Sequence, residues 1–180
     1  PPAGASGVNR RRFLVAAGGV GLTAGSAYVA TEGLPGTDAE AALPRRVETL
    51  DAPGSTAGEA VVPRPDAVTV VDLFATWCAP CDDQLAILDS VRGEYPEVSF
   101  VSVTNERLGD TLTRADLVDW WGDHGGAWTL GVDPGSDLLA AFGANGLPYV
   151  AIADADGAIA YGRSGLVGAT ELRERLDALD

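Results

Sequence analysis

The chain has 180 residues, enough for one domain with a tail, and 46% of its residues are hydrophobic. That composition supports a buried core, so the fold does not depend on disulfides for its stability. Asp and Glu number 26 against 12 basic residues, which gives a formal net charge of −14. This charge argues against binding to nucleic acids or anionic membranes, because both are polyanions.

The basic residues are all arginine, and lysine is absent. An acidic chain without lysine resembles the proteins of salt-loving organisms. In molar salt the Debye length falls to about 3 Å, which screens the self-repulsion of an acidic surface. We therefore expect adaptation to high salt rather than an ordinary acidic surface.

Residues 1–30 predict an export signal. The run Asn9-Arg-Arg-Arg-Phe-Leu14 leads into an apolar, glycine-containing segment, residues 13–30, with small residues around Gly25-Ser-Ala27. The Arg-Arg-x-Phe-Leu pattern resembles a twin-arginine (Tat) signal, and the alternative is an uncleaved anchor, since residues 13–30 approach the length of a membrane span. Both alternatives predict an extracytoplasmic protein. The chain begins at Pro1 and has no methionine, so we expect its natural start to be missing or processed.

Residues 31–45, rich in Gly, Pro, Asp and Ala, predict a flexible linker, and residues 46–180 predict one domain. Apolar runs and turn signals predict strands in seven segments: Arg46–Leu50, Ala60–Val62, Val68–Ala75, Val98–Val103, Ala127–Val132, Tyr149–Ala153 and Ala158–Arg163. Helical spacing and caps predict helices in four segments: from the cysteines to Gly93, Thr113–Trp121, Ser136–Phe142, and the stripe of Leu172, Leu176 and Leu179. This order predicts an α/β fold with a mixed central sheet and helices on both faces.

The only two cysteines lie in Cys78-Ala-Pro-Cys81, directly after the strand predicted for Val68–Ala75. At the start of a helix, unpaired backbone N–H groups and the helix dipole stabilise a thiolate at Cys78. Pro80 suits the first helical turn, where its missing N–H is not needed. Cys81 lies one turn deeper, within reach of a disulfide. We therefore expect Cys78 to attack substrate disulfides and Cys81 to resolve the mixed disulfide.

The run Asp72-Leu-Phe-Ala-Thr-Trp-Cys-Ala-Pro-Cys81 resembles the active-site strand and helix of thioredoxins. Three later motifs resemble the exported TlpA/ResA-like branch of that superfamily: Phe142-Gly143, Gly146-Leu-Pro148 and Asp154-Ala-Asp-Gly157. The resemblance implies a thioredoxin-like fold with an N-terminal hairpin. It also implies an inserted segment between the active-site helix and a cis-proline, roughly between Glu106 and Gly131.

The resemblance assigns roles to further residues. Pro148 would be the cis-proline facing the disulfide, the backbone of Leu147 would align a substrate strand, and Trp77 would form a platform beside the disulfide. Asp72 would act beneath Cys81 as its general base, through water, and not as an exposed aspartate of the strand. Three more residues are expected to contribute to the substrate groove: Ala79, Pro80 and Tyr149.

Two features near the cysteines depart from the family pattern or bear on the direction of exchange. Gln84 stands where the branch usually carries Glu, so no acid–base role is expected there. Asp82 and Asp83 follow Cys81 directly, and their charge disfavours a thiolate at Cys78. A less stabilised thiolate makes the pair more reducing, so we expect a reductant.

We expect a monomeric enzyme: an exported thiol-disulfide oxidoreductase, with no cofactor, that reduces protein disulfides. The resemblance suggests apocytochrome c as one substrate, and an unidentified membrane or exported electron donor would recharge the pair. Two alternatives are a disulfide oxidant and a thioredoxin-fold carrier of Cu(I) that uses the two thiolates. His124 and the two cysteines fall short of the usual four zinc ligands, so no metal site is expected.

Overall fold

The structure is a computed structural model that describes residues 42–179. The predicted export signal and most of the predicted linker lie outside these residues. Seven strands form one sheet in the order β2-β1-β5-β4-β3-β6-β7. Their bounds are β1 (Arg45–Thr49), β2 (Gly58–Val62), β3 (Thr69–Phe74), β4 (Ser99–Thr104), β5 (Thr129–Val132), β6 (Tyr149–Ala153) and β7 (Ile159–Ser164). The helices are α1 (Ala79–Arg92), α2 (Arg114–Asp123), α3 (Asp137–Phe142) and α4 (Ala169–Asp177).

The middle of the sheet is parallel and its two edges are antiparallel. β3 pairs in parallel with β4, and β4 pairs in parallel with β5. β1 and β2 form the predicted N-terminal hairpin, and β6 and β7 form a second hairpin that turns at Asp156-Gly157, where Gly157 has a φ of 84°. Every residue of β3 is buried, as its near-continuous apolar run predicts for a strand covered on both faces.

The core has two parts, one on each face of the sheet. Apolar side chains of α1, α2 and α4 pack with Val70 and Phe74 of β3 on one face. Leu138 of α3 packs with Val71 and Leu73 of the same strand on the other face. The predicted fold class, a mixed sheet with helices on both faces, is confirmed.

The segment expected as an insertion holds α2 and the start of β5. Thr113 begins α2 with the predicted capping box: its hydroxyl accepts from the Asp116 backbone N–H, and the Asp116 carboxylate accepts from the Thr113 backbone N–H. Among residues 42–179, no helix is both long enough and apolar enough to cross a membrane.

Candidate active site

The two cysteines are joined by a disulfide at the start of α1, with their Cα atoms 5.3 Å apart. Cys78 is the N-cap residue of the helix, and Pro80 lies in its first turn, where no intrahelical N–H bond is needed. The Cys81 backbone N–H donates to the Cys78 carbonyl oxygen at 2.8 Å. Cys78 is 6% exposed and Cys81 is completely buried. This asymmetry fits an outer, attacking sulfur and an inner, resolving one.

An exposed aromatic ring directly precedes Cys78, and the expected cis-proline is buried. Trp77 is 73% exposed, the most exposed large apolar side chain among the described residues. Ala79 and Pro80 are also exposed. The Leu147–Pro148 peptide bond is cis, as the resemblance implied, with Pro148 buried and Leu147 half-buried. An exposed apolar ring next to the attacking cysteine suits contact with a substrate segment.

Glu106, which the sequence did not single out, holds the turn that presents Trp77. Its carboxylate accepts from the Thr76 backbone N–H at 2.6 Å and from the Thr76 hydroxyl at 2.9 Å. The Thr104 hydroxyl also donates to it, at 3.1 Å. Three bonds to one carboxylate fix the backbone directly before Trp77 and Cys78.

Tyr149, which the sequence predicts in the substrate groove, is buried on the α3 face of the sheet. The side chain is 6% exposed, its hydroxyl donates to the Phe142 carbonyl oxygen at 3.1 Å, and it packs in the core part on the α3 face. Cys78 and Cys81 belong to the other part. Side chains alternate along a strand, so Tyr149 points away from the face that Val150 shares with the cysteines.

Asp72 is 1% exposed, which excludes the reading of an exposed aspartate. Its neighbours along β3 on the same face, Val70 and Phe74, belong to the core part that contains Cys81. The Ser102 hydroxyl donates to Asp72 Oδ2 at 2.8 Å. Burial raises the pKa of Asp72 from 3.8 to about 7, and the bond from Ser102 opposes the rise. A carboxyl group with a pKa near neutrality, on the side of the resolving sulfur, suits proton transfer.

Acidic groups surround the first turn of α1. Asp82 is half-buried and Asp83 is exposed. His124, at the end of α2, places its Nε2 atom 3.7 Å from Asp82 Oδ2, while its Nδ1 atom lies 2.7 Å from the Trp120 carbonyl oxygen. Since a carbonyl only accepts, Nδ1 carries a proton.

Gln84 takes a structural role where the family pattern has Glu. The side chain is buried, its Nε2 donates to the Val167 carbonyl oxygen at 3.2 Å, and its Oε1 accepts from the Val167 backbone N–H at 2.8 Å. An ionised carboxylate at this position would lose the first bond, because it has no donor. The amide thus fastens the β7–α4 loop to the active-site helix.

Replacing Gln84 with alanine should lower the free energy of unfolding by about 2 kcal/mol, since it leaves two buried backbone groups of Val167 unpaired. Urea denaturation of the oxidised protein measures this. Ser90→Ala, on the exposed face of α1, is the matched control and should change stability by less than about 0.5 kcal/mol. Equal effects of the two substitutions would show that the Gln84 bonds contribute nothing.

Trp120, Trp121 and Trp128 pack in the core or over it. Trp121 and Trp128 are buried, and Trp120 stacks on Phe74 at 5.2 Å between ring centroids. No group of three or more His, Cys, Asp or Glu side chains within residues 42–179 is arranged to hold a metal ion.

Comparison with known proteins agrees with this geometry. The chain is 30% identical over 142 residues to the thiol:disulfide interchange protein CycY of Rhizobium leguminosarum bv. viciae, a match that covers 78% of this chain and 69% of CycY. No protein-family model matches the chain.

Two solved structures share the fold. The dsbF protein of MTB has a TM-score of 0.64 at 21% identity, over 81% of this chain and 100% of dsbF. A secreted Mycobacterium tuberculosis disulfide oxidoreductase, described as homologous to E. coli DsbE, has a TM-score of 0.61 at 18% identity, over 79% of this chain and 100% of that protein.

Proposed function

Since this chain belongs to the thioredoxin-like thiol:disulfide interchange proteins and is a thiol-disulfide oxidoreductase, we propose that it acts outside the cytoplasm as a reductant of protein disulfides. The enzyme class rests on the relationship to CycY and on the Cys78–Cys81 disulfide. The direction of exchange, the compartment and the substrates are the proposal.

The reaction uses the reduced pair. The Cys78 thiolate attacks one sulfur of a substrate disulfide, which forms a mixed disulfide and releases the first substrate thiolate. Cys81 gives its proton to Asp72 and attacks the Cys78 sulfur. The Cys78–Cys81 bond forms, the mixed disulfide breaks, and the second substrate thiolate leaves and takes a proton from water. Two electrons have moved from the pair to the substrate, and the enzyme is left in the oxidised form seen in the structure.

The observation that carries the direction is the placement of carboxylates around the pair. Asp82 and Asp83 lie in the turn that contains Cys81, and Asp72 shares its face of β3 with Val70 and Phe74, which pack in the core part of Cys81. Negative charge disfavours the Cys78 thiolate, and destabilising the reduced form makes a dithiol more reducing. The opposite arrangement, a stabilised reduced form, makes DsbA a strong oxidant.

The reduction potential should therefore lie near that of thioredoxin, about −270 mV, when measured in molar salt by equilibration with glutathione or dithiothreitol. Asp82→Asn together with Asp83→Asn should raise it, because the substitutions remove charge beside the thiolate. A value near that of DsbA, about −120 mV, would overturn the proposal and indicate an oxidant.

The exposed Trp77 and the backbone of Leu147 support protein substrates that bind as extended segments. Apocytochrome c, suggested by the family resemblance, is the first substrate to test. Export is supported by the Arg10-Arg-Arg-Phe-Leu14 pattern and by the secreted relative from Mycobacterium tuberculosis. Steady turnover then requires an electron donor in the membrane or outside the cell. We propose a monomer that works at high salt, and the relationship to CycY favours this enzyme over a Cu(I) carrier.

A further inference from the structure

A chain of three buried side chains ends at the Asp72 carboxylate. Trp128 Nε1–H donates to Ser102 Oγ at 2.9 Å, and the Ser102 hydroxyl donates to Asp72 Oδ2 at 2.8 Å. The exposed fractions are 6% for Trp128, 0% for Ser102 and 1% for Asp72. The register of the parallel pair β3–β4 sets Asp72 beside Ser102, and Trp128 comes directly before β5 on the far side of β4.

The chemistry of the donors fixes which group donates in each of these two hydrogen bonds. An indole nitrogen only donates, so Ser102 Oγ must accept from Trp128. A hydroxyl has one proton, and the described residues offer that proton a single acceptor, Asp72 Oδ2. Ser102 is therefore held as a donor to the carboxylate. A proton on Oδ2 would turn that oxygen into a weaker acceptor for the Ser102 hydroxyl, which is costly in a buried site.

The second carboxylate oxygen completes the arrangement. Asp72 Oδ1 is buried and makes no hydrogen bond to any described residue. Because Oδ2 already accepts from Ser102, a proton that reaches Asp72 is held on Oδ1. Oδ2 is thus held by the bond from Ser102, and Oδ1 is left to receive a proton.

We propose that Trp128 is a positioning residue for disulfide exchange: through Ser102 it fixes the Asp72 carboxylate so that Oδ1 takes the proton of Cys81 during resolution. This inference rests on the proposed role of Asp72 as the base for Cys81. The proton moves from Cys81 Sγ to Asp72 Oδ1, directly or through water, and returns to solvent once the Cys78–Cys81 bond has formed. Trp128 and Ser102 touch neither the substrate nor the reacting sulfurs.

The indole is itself held in place by its surroundings. The Trp121 ring contacts it edge-on, with 4.9 Å between centroids, and the Arg92 guanidinium lies 5.4 Å from its ring centroid. The electrostatics agree, because the bond from Ser102 acts against burial, and the two together set the pKa of Asp72 at about 7.

The pH dependence of the resolving step tests the inference. The reduced protein is mixed with Ellman's reagent, and Cys78 forms a mixed disulfide with one aromatic thiol. Cys81 then attacks this mixed disulfide and releases the aromatic thiolate, and the rate of release is followed by absorbance. In the wild type this rate should rise with a midpoint near pH 7. Ser102→Ala should move the midpoint up by about one pH unit, because the carboxylate loses a charge-assisted bond. Trp128→Phe should move it up by about half a unit, since Ser102 is no longer held as a donor.

Matched variants separate positioning from packing. Trp120→Phe changes another indole packed against the same core part, one that stacks on Phe74, and should leave the midpoint unchanged. Ser102→Thr keeps the hydroxyl and should restore the midpoint lost in Ser102→Ala. In an Asp72→Asn background the titration should disappear, and Trp128→Phe should then have no effect on the shape of the profile.

A measurement on the wild type keeps the inference testable if Trp128→Phe does not fold. The Nε1–H NMR signal of Trp128 should shift with the midpoint of Asp72, and the Trp121 signal should not. A Trp128 signal that ignores this titration, or equal midpoint shifts in Trp128→Phe and Trp120→Phe, would overturn the inference. Loss of the titration in the wild type itself would instead overturn the base role of Asp72, so the two failures are distinguishable.

Discussion

Replacing Cys78 with serine should abolish catalysis of insulin reduction, a loss of more than about 10³-fold that leaves only the rate of dithiothreitol alone. A serine hydroxyl does not ionise near neutral pH and forms no mixed disulfide with substrate, so the first step is lost. Cys78 is the N-cap residue of α1 and stays slightly exposed, whereas Cys81 is buried. The serine substitution keeps the size and position of the attacking group while removing its chemistry.

Cys81→Ser is the matched control, because it removes the other sulfur and leaves the attacker intact. This variant should form a mixed disulfide with substrate at an undiminished rate and fail to release it, so substrate stays attached through Cys78. Gel shift without reductant measures the adduct, and the trapped proteins identify the substrates. An adduct on Cys78→Ser, with none on Cys81→Ser, would show that the assigned roles are reversed.

The fold could be predicted from local signals, each contained in a short stretch of sequence. The apolar run of β3 predicts a strand covered on both faces, and all its residues are buried. The pair Thr113 and Asp116 predicts the start of α2 through a capping box, and Asp156-Gly157 predicts the last hairpin. Each of these signals acts within a few residues, so it does not depend on the tertiary arrangement.

The positions of the cysteines and of Asp72 in the fold could also be predicted from a short stretch of sequence. A carboxylate within an apolar strand is expected to be buried, and the strand leads directly to the helix that begins at Cys78. The side-chain partners of the site could not be placed. The contact of Ser102 with Asp72 depends on the register of β4 against β3, and two apolar strands in a parallel pair allow several registers.

Contacts between residues far apart in the sequence were still harder to predict. Gln84 and Val167 lie 83 positions apart, and neither residue carries a local signal for the other. For Tyr149 the sequence does carry a local signal. Alternation along β6 sends it to the face opposite Val150, so its side chain packs near α3 instead of beside the disulfide.

Replacing Asp72 with asparagine should stabilise the oxidised protein relative to the wild type as the pH rises. Burial raises the pKa of Asp72 from 3.8 to about 7. Between these values the folded wild type keeps a proton that the unfolded chain has released, so its stability falls with increasing pH. The loss is about 1.4 kcal/mol per pH unit, about 4 kcal/mol in total, and it is complete above about pH 8. Asparagine does not titrate and has no such loss.

The measurement is the difference in unfolding free energy between Asp72→Asn and the wild type, by urea denaturation at fixed high salt, at pH 4 and at pH 8.5. Whatever its value at pH 4, it should grow by about 4 kcal/mol in favour of the variant by pH 8.5. Asp116→Asn should show the opposite sign, because hydrogen bonds from Thr113 lower the pKa of Asp116 and stabilise its charged form. The buried Asp72 therefore lowers the free energy of unfolding of the wild type at neutral pH, and it gives the protein a base that titrates there. If the difference stays constant from pH 4 to pH 8.5, Asp72 titrates alike in the folded and unfolded chains, and its role as a neutral-range base for Cys81 loses its physical basis.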